Sequence, residues 1–294
     1  MQDFKADLHC HTTCSDGTLS PVEIIQLAKQ KGLNGLSITD HDSINSYAQA
    51  IPAAHEAGIP LISGVEFSAM HRNISVHVLG YSFDLKNEAL QQFCQQHRNR
   101  RNERNALIIE KLNKHKMPLT LEDVLACSNH PLGMIGRPHI ALAMIKKGYV
   151  ASVQEAFKNW IGEGCPCYAA GKDFSVEDTI NIIHQANGFA IIAHPHLIKQ
   201  SHIVQELIQM NFDGIECYYG NLLADQNKRW IQIAKQKNWI ITGGSDYHGD
   251  TKPNLLLGAS WIGEETFKLL GAPRRRAIAS AQIKSPNETE ITKY

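Results

Sequence analysis

The chain has 294 residues, 43% of them hydrophobic, with 29 Lys+Arg set against 29 Asp+Glu. This composition excludes a disordered chain, a fibrous repeat and a coiled coil, and zero net charge excludes a protein that coats a polyanion over its whole surface. The unusual count is 15 histidines, because imidazole is the commonest metal ligand and the usual near-neutral acid or base.

Residues 4–11 read as a strand. Ser20-Pro21-Val22-Glu23 is a capping box with proline at the first helical position, which predicts a helix to about residue 31. Residues 33–39 predict a second strand. Residues 43–57 predict a helix, stopped by Gly58 and kinked at Pro52. Two further strands follow over 59–68 and 74–81. Regular β-α alternation predicts parallel strands covered by helices. From 87 to 160 the signals turn helical: one long helix over 88–116, then shorter ones over 121–127, 139–147 and 153–160. The alternation resumes with helices over 176–186, 203–210 and 222–237 and strands over 188–194, 214–219 and 239–246. At least seven strands in this order predict a barrel-like α/β domain. The organisation expected is a discontinuous barrel (1–86 and 165–270), a helical insertion (87–164) and a polar C-terminal tail (271–294) that includes Arg274-Arg275-Arg276.

Seven cysteines are an odd number at irregular spacings, which argues for reduced thiols and not a secreted disulfide framework. The chain starts on charged residues (Asp3, Lys5, Asp7), unlike a signal core. No apolar run approaches the ~18 residues of a membrane span. A soluble cytoplasmic protein is expected.

His9 and His11 are two apart on a strand, so both imidazoles point to one face. Further candidate ligands recur at strand ends: His41, Glu66, His77, His194, Asp246 and His248, with Asp16 in the loop after the first strand. In parallel barrels that face carries the active site. Six histidines and three carboxylates exceed the four ligands of one zinc ion, and they suit two or three ions with one bridging carboxylate. Mixed imidazole and carboxylate ligation favours Mn²⁺, Fe²⁺ or Zn²⁺ over Mg²⁺ alone. Cys10 alternates to the opposite strand face, where packing is its expected role.

Asp7-Leu8-His9-Cys10-His11-Thr12 with Ser15-Asp16-Gly17, Thr39-Asp40-His41-Asp42, Gly64-Val65-Glu66, His77-Val78-Leu79-Gly80, Ala193-His194-Pro195 and Gly244-Ser245-Asp246-Tyr247-His248 follow one another over residues 3 to about 260. This set resembles the motifs of the polymerase-and-histidinol-phosphatase (PHP) family of metal-dependent phosphoesterases. The resemblance implies a distorted (β/α)₇ barrel with a trinuclear site. One metal would take His9, His11, Glu66 and Asp246. A second would share Glu66 and take His77 and His194. The third would take Asp16, His41 and His248. Histidinol phosphatases of the family usually carry histidine where this chain has Asp16. A hydroxide held between metals over Glu66 would be the nucleophile, since metal lowers the pKa of water from 15.7 towards ~7. Its general acid stays open among His194, His248 and a metal-bound water. Asp7, Asp40 and Asp42, close to ligand histidines in sequence, are candidates to fix imidazole tautomers, with salt bridging as the other reading.

In His97-Arg98-Asn99-Arg100-Arg101-Asn102-Glu103-Arg104, His97, Arg101 and Arg104 share one helix face. Arg137 lies in a break between helices. Guanidinium forks suit phosphate oxygens, and a solvated basic face is the alternative. A helical insertion with Arg-Asn-Glu-Arg and a later Arg-x-His resembles the PHP branch that converts nucleoside 3′,5′-bisphosphates to 5′-mononucleotides. Some of its members act as 5′→3′ exonucleases on short RNA. The resemblance implies that Arg101, Arg104 and Arg137 grip a 5′-phosphate, with Asn102 and Glu103 as neighbours in the motif. The partner is then a nucleotide or short RNA, and no feature points to a membrane or a stable protein partner. Two other readings are a phosphatase for another small monoester such as histidinol phosphate, and a non-catalytic metal or nucleotide sensor. The first conflicts with Asp16, and the second would be expected to have lost ligands.

Overall fold

The computed structural model describes residues 4–128, 135–171, 173–272 and 274. Seven strands form one sheet in sequence order: β1 Ala6–Asp7, β2 Gly35–Ile38, β3 Leu61–His71, β4 Ile74–Tyr81, β5 Phe189–Ile192, β6 Gly214–Tyr219 and β7 Ile240–Gly244. The segment after β7 returns to the segment after β1: His11 N–H donates to Tyr247 O at 2.8 Å and Asp246 N–H to His9 O at 2.7 Å. The sheet therefore curls almost closed. Gly244 permits this approach, since a Cβ there would lie 2.3 Å from His9 N.

The expected parallel barrel needs one correction. β4 runs antiparallel to both β3 and β5. Only Arg72 and Asn73 separate β3 from β4, and a two-residue loop makes a hairpin, because a parallel crossover needs a dozen residues or more. Both loop residues have left-handed φ, 47° and 65°, as a type I′ turn requires. The reversal brings His77, near the start of β4, to the end of the barrel where the parallel strands finish.

Helix α1 (Pro21–Gln30) starts on the expected capping box, with Glu23 Oε2 accepting from Ser20 N–H at 2.7 Å. Helix α2 (Tyr47–Ala57) ends on Gly58 at φ 70° and runs through Pro52. It starts later than expected because Asp42 turns the chain at φ 55°. Between β4 and β5 come α3 (Glu88–Lys114), α4 (Leu121–Leu125), α5 (Arg137–Lys146), α6 (Val153–Ala156) and α7 (Val176–Gln185). Ile108, Leu112, Val124, Ile140, Met144 and Ile161 form a core of their own. The barrel packs instead through Val65, Phe67, Val78, Ile183, Ile192 and Ile215.

Helices α8 (Ser201–Leu207) and α9 (Ala224–Lys237) follow β5 and β6. No sequence signal marked α10 (Glu264–Gly271). Its Phe267 and Leu270 are buried with Ala6, Tyr81 and Phe189, which contributes about 1.5–3 kcal/mol for each side chain. Residues 275–294 of the expected tail lie outside the described residues, whereas Arg274 pairs with Asp213 at 2.8 Å. No helix among the described residues is long and apolar enough to cross a membrane. All seven cysteines are free, and Cys10 is buried in the core under α1 and α2.

Candidate metal centre

The nine side chains expected at the strand ends converge around Glu66, which is buried. Its Oε1 lies 2.7 Å from His77 Nδ1 and 2.8 Å from His194 Nε2. Its Oε2 lies 3.1, 3.2 and 3.3 Å from His11 Nε2, His41 Nδ1 and His9 Nε2. Asp246 Oδ1 is 3.3 Å from both His9 Nε2 and His11 Nε2. Asp16 Oδ1 is 3.4 Å from His248 Nε2, and its Oδ2 is 3.8 Å from His41 Nε2. Three overlapping groups have ligand atoms close enough to hold an ion: His9, His11, Glu66 and Asp246; His11, Asp16, His41 and His248; His41, Glu66 and His77. His194 stands outside these groups although it touches Glu66. His194 and Asp246 take left-handed φ of 25° and 55°, a conformation uncommon for residues other than glycine, and one that clusters at functional sites.

The donor set fits divalent metals. Buried polar atoms are normally hydrogen-bonded. Here His9 Nε2, His11 Nε2, His41 Nδ1, His194 Nδ1, His248 Nε2, Asp16 Oδ1 and Glu66 Oε2 are buried without a hydrogen-bond partner. These seven gather in one cluster, whereas other such atoms among the described residues, including His97 Nδ1, His97 Nε2 and Arg104 Nε on α3, lie outside it.

The tautomers agree with this. His9 Nδ1 lies 2.8 Å from Glu216 Oε1, and His248 Nδ1 lies 2.8 Å from the Asp246 carbonyl. Both oxygens only accept, so each Nδ1 carries a proton and Nε2 is the ring nitrogen left to face an ion. Burial pushes His41 and His248 down to about 3, so both are neutral imidazoles. Burial also opposes charge on His11, but the nearby carboxylates of Asp246 and Glu66 carry it up to about 9. Burial works against a charged Glu66 too, yet the imidazoles of His41, His77 and His9 hold it well below the usual carboxylate range.

The sequence reading missed Glu216. It is buried on β6 and also accepts from the His194 N–H at 2.7 Å. A lone carboxylate in the otherwise uncharged run 214–219 was the available signal. The expected tautomer-fixing role of Asp7 and Asp40 is corrected. Asp7 accepts from the backbone N–H groups of His9, Ser245 and Gly258. Asp40 accepts from Thr12 and from the Ser15 hydroxyl. Asp42 accepts from Ser68 N–H at 2.7 Å and from Arg101 Nε at 2.7 Å, and lies 3.1 Å from His97 Nδ1. The imidazole it meets is therefore not one of the cluster.

His97, Arg101 and Arg104 lie buried on one face of α3, with Arg100 beside them. Arg101 also donates to Ser68 Oγ at 2.9 Å. Arg104 hydrogen-bonds Asn105 Oδ1 at 3.3 Å, and its Nε is buried without a partner. Burial, then Arg101, Arg137 and Arg100, hold the Arg104 pKa well below the ordinary guanidinium range. Arg137 opens α5 and lies 5.6 Å from the ring centres of Phe157 and Tyr168. Asn102 and Glu103 are exposed, off the buried face, so the structure does not bring them to this group. Burial lowers the pKa of His139 on α5, where the charges of Asp16 and Arg101 also reach it with opposite effect.

The PHP domain pattern matches residues 7–239. The chain is 32% identical over 249 residues to a 5′-3′ exoribonuclease of Haemophilus influenzae, covering 83% of this chain and 90% of that one. It is 30% identical over 247 residues to a 3′,5′-nucleoside bisphosphate phosphatase of Chromobacterium violaceum, covering 82% and 86%. A solved structure from Bifidobacterium adolescentis, assigned as a metal-dependent phosphoesterase, superposes with a TM-score of 0.82 at 30% identity over 90% of this chain and 94% of that one. With its motifs, barrel and histidine-carboxylate cluster in agreement, the chain belongs to the PHP family of metal-dependent phosphoester hydrolases.

Proposed function

We propose that this enzyme removes the 3′-phosphate of nucleoside 3′,5′-bisphosphates to leave 5′-mononucleotides, and that it acts on short RNA from the 5′ end by the same chemistry. The observation that carries this reading is the pairing of two clusters. One could hold metal ions. The other is a buried arginine group in which Arg104 and Arg137 form no ion pair among the described residues. Guanidinia crowded around one carboxylate, Asp42, which pairs with Arg101, call for a further anion. A simple monoester brings one phosphate and would use the metal cluster alone. A bisphosphate or a 5′-phosphorylated RNA brings two, one for each cluster. The relatives from Chromobacterium violaceum and Haemophilus influenzae carry these two activities in their names, which supports both halves.

Two or three divalent ions, Mn²⁺ foremost, would be held by His9, His11, Glu66 and Asp246, by Glu66, His77 and His194, and by Asp16, His41 and His248. Such ions supply an acidified water and neutralise phosphoryl oxygens. Arg101, Arg104 and Arg137 would hold the distal phosphate and so orient the reacting one. In this reading residues 87–164 are a substrate-gripping insertion in a barrel built from 1–86 and 165–270. The free cysteines fit a reducing compartment, and we assign the enzyme to the cytoplasm.

The test is phosphate release with Mn²⁺ from adenosine 3′,5′-bisphosphate, 3′-AMP and histidinol phosphate, and 5′-mononucleotide release from a 5′-phosphorylated RNA. The bisphosphate and the RNA should be the best substrates. Equal rates on 3′-AMP and the bisphosphate would refute the second phosphate site.

A further inference from the structure

Lys252 has no part in the site as built so far. It follows the turn after His248, where the Thr251 hydroxyl lies 2.9 Å from His248 O and 3.1 Å from Asp16 O and can donate to either. Its ammonium lies 2.8 Å from Asp246 Oδ2, and the Tyr219 hydroxyl donates to the same oxygen at 2.7 Å. The Asp246 carboxylate is thereby divided. Oδ1 faces His9, His11 and His248, while Oδ2 faces Lys252 and Tyr219.

An ammonium has three donors. Among the described residues, Asp246 is the single hydrogen-bond partner of the Lys252 side chain, which is 42% exposed. Two donors therefore remain beside the Asp246 carboxylate. Among the described residues, Lys252 is also the one cation other than histidine that pairs with a carboxylate of the cluster. The arginines cannot take this place, because they gather around Asp42 and the insertion.

We propose that Lys252 is a catalytic residue whose remaining ammonium donors contact a non-bridging oxygen of the phosphoryl group being transferred. That group carries its charge on three equatorial oxygens in the transition state, and a cation already fixed beside them needs no reorganisation when the reaction occurs. The inference rests on the phosphoesterase reading and is independent of which nucleotide is the substrate.

The experiment compares wild type, Lys252→Met and Lys252→Arg, all loaded with Mn²⁺. Bound metal is measured by mass spectrometry and inorganic phosphate binding by calorimetry. Turnover is measured as kcat/KM on adenosine 3′,5′-bisphosphate and p-nitrophenyl phosphate. Lys252→Met should retain its metal, bind inorganic phosphate more weakly, and lose about ten- to a hundredfold in kcat/KM on both substrates. Lys252→Arg should recover part of the loss. Wild-type phosphate affinity in Lys252→Met overturns the proposal. So does a loss of activity fully accounted for by lost metal, which leaves Lys252 only as a prop for Asp246. Inorganic phosphate contains no nucleoside, so the calorimetry reports on Lys252 even where the bisphosphate is a poor substrate, an outcome that would strike the substrate assignment instead.

Discussion

Replacing Glu216 by glutamine tests whether the His9 tautomer is set from β6. The carboxylate accepts twice, from His9 Nδ1–H at 2.8 Å and from His194 N–H at 2.7 Å. Glutamine keeps the volume but has one accepting end and one donating end. If its oxygen stays on the His194 N–H, its NH₂ meets His9 Nδ1, which must then accept. The His9 proton moves to Nε2, the atom 3.3 Å from Glu66 and Asp246, and the ring can no longer offer that lone pair. If the amide is reversed, its NH₂ faces a backbone N–H, and a buried donor goes unsatisfied at a cost of about 1–3 kcal/mol. Either orientation damages the site. Loss of such a supporting carboxylate typically costs about 10–100-fold in metal affinity or activity, or about 1.4–2.7 kcal/mol. Chelator competition for Mn²⁺ measures the affinity, and thermal unfolding of metal-free protein checks that the fold survives. Wild-type Mn²⁺ affinity in Glu216→Gln would refute the reasoning, because it would mean that His9 does not need its Nδ1 proton held.

Glu66→Ala should lose bound metal and turnover together while the barrel still folds, since five imidazoles share this one carboxylate; metal analysis and circular dichroism check it, and normal metal with normal turnover would remove Glu66 from its central place. Asp16→Ala should reduce turnover strongly with less effect on total metal, because it belongs to one of the three ligand groups, with His11, His41 and His248, and not to the two built on Glu66; wild-type kinetics would leave Asp16 as a loop residue. Arg137→Ala should lower kcat/KM for the 3′,5′-bisphosphate by about tenfold or more and do far less to 3′-AMP, which has no 5′-phosphate to lose; equal losses on both would dissolve the 5′-phosphate pocket.

The ligand candidates were legible in the sequence because strand periodicity is local. His9 and His11 share a face by spacing alone, and most of the others follow apolar runs, His77 inside β4 and Asp16 in a loop excepted. Asp40 misled for the same reason: neighbours on an extended chain point to opposite sides, so it turns away from the cluster that His41 enters. Glu216 comes from a strand more than two hundred residues from His9, and Lys252 from an irregular turn, and no periodicity ties either to the site. The hairpin of β3 and β4 was hidden by its length. β3 runs to His71, so the loop that forces antiparallel pairing is only two residues long.

The misplaced Asp42 shows how the insertion is registered on the barrel. It follows His41 directly, and its left-handed backbone turns the carboxylate away from the cluster and onto Arg101 and His97 of α3. His97 in turn stacks on Phe174 with ring centres 3.9 Å apart, just before α7 returns the chain to the sheet. Burial favours a neutral Asp42, but Arg101 keeps it ionised, with a pKa far below the usual carboxylate range. Breaking one partner of such a buried pair strands the other at a cost of about 3–5 kcal/mol. Arg101 is therefore a strut as well as a candidate phosphate ligand. The same side chain that would meet a distal phosphate fixes α3 to the loop carrying His41. The Asp42–Arg101 ion pair, with the Arg101–Ser68 hydrogen bond, thus helps to hold the two clusters at their spacing, and that spacing is what would distinguish a substrate with two phosphates from one with a single phosphate.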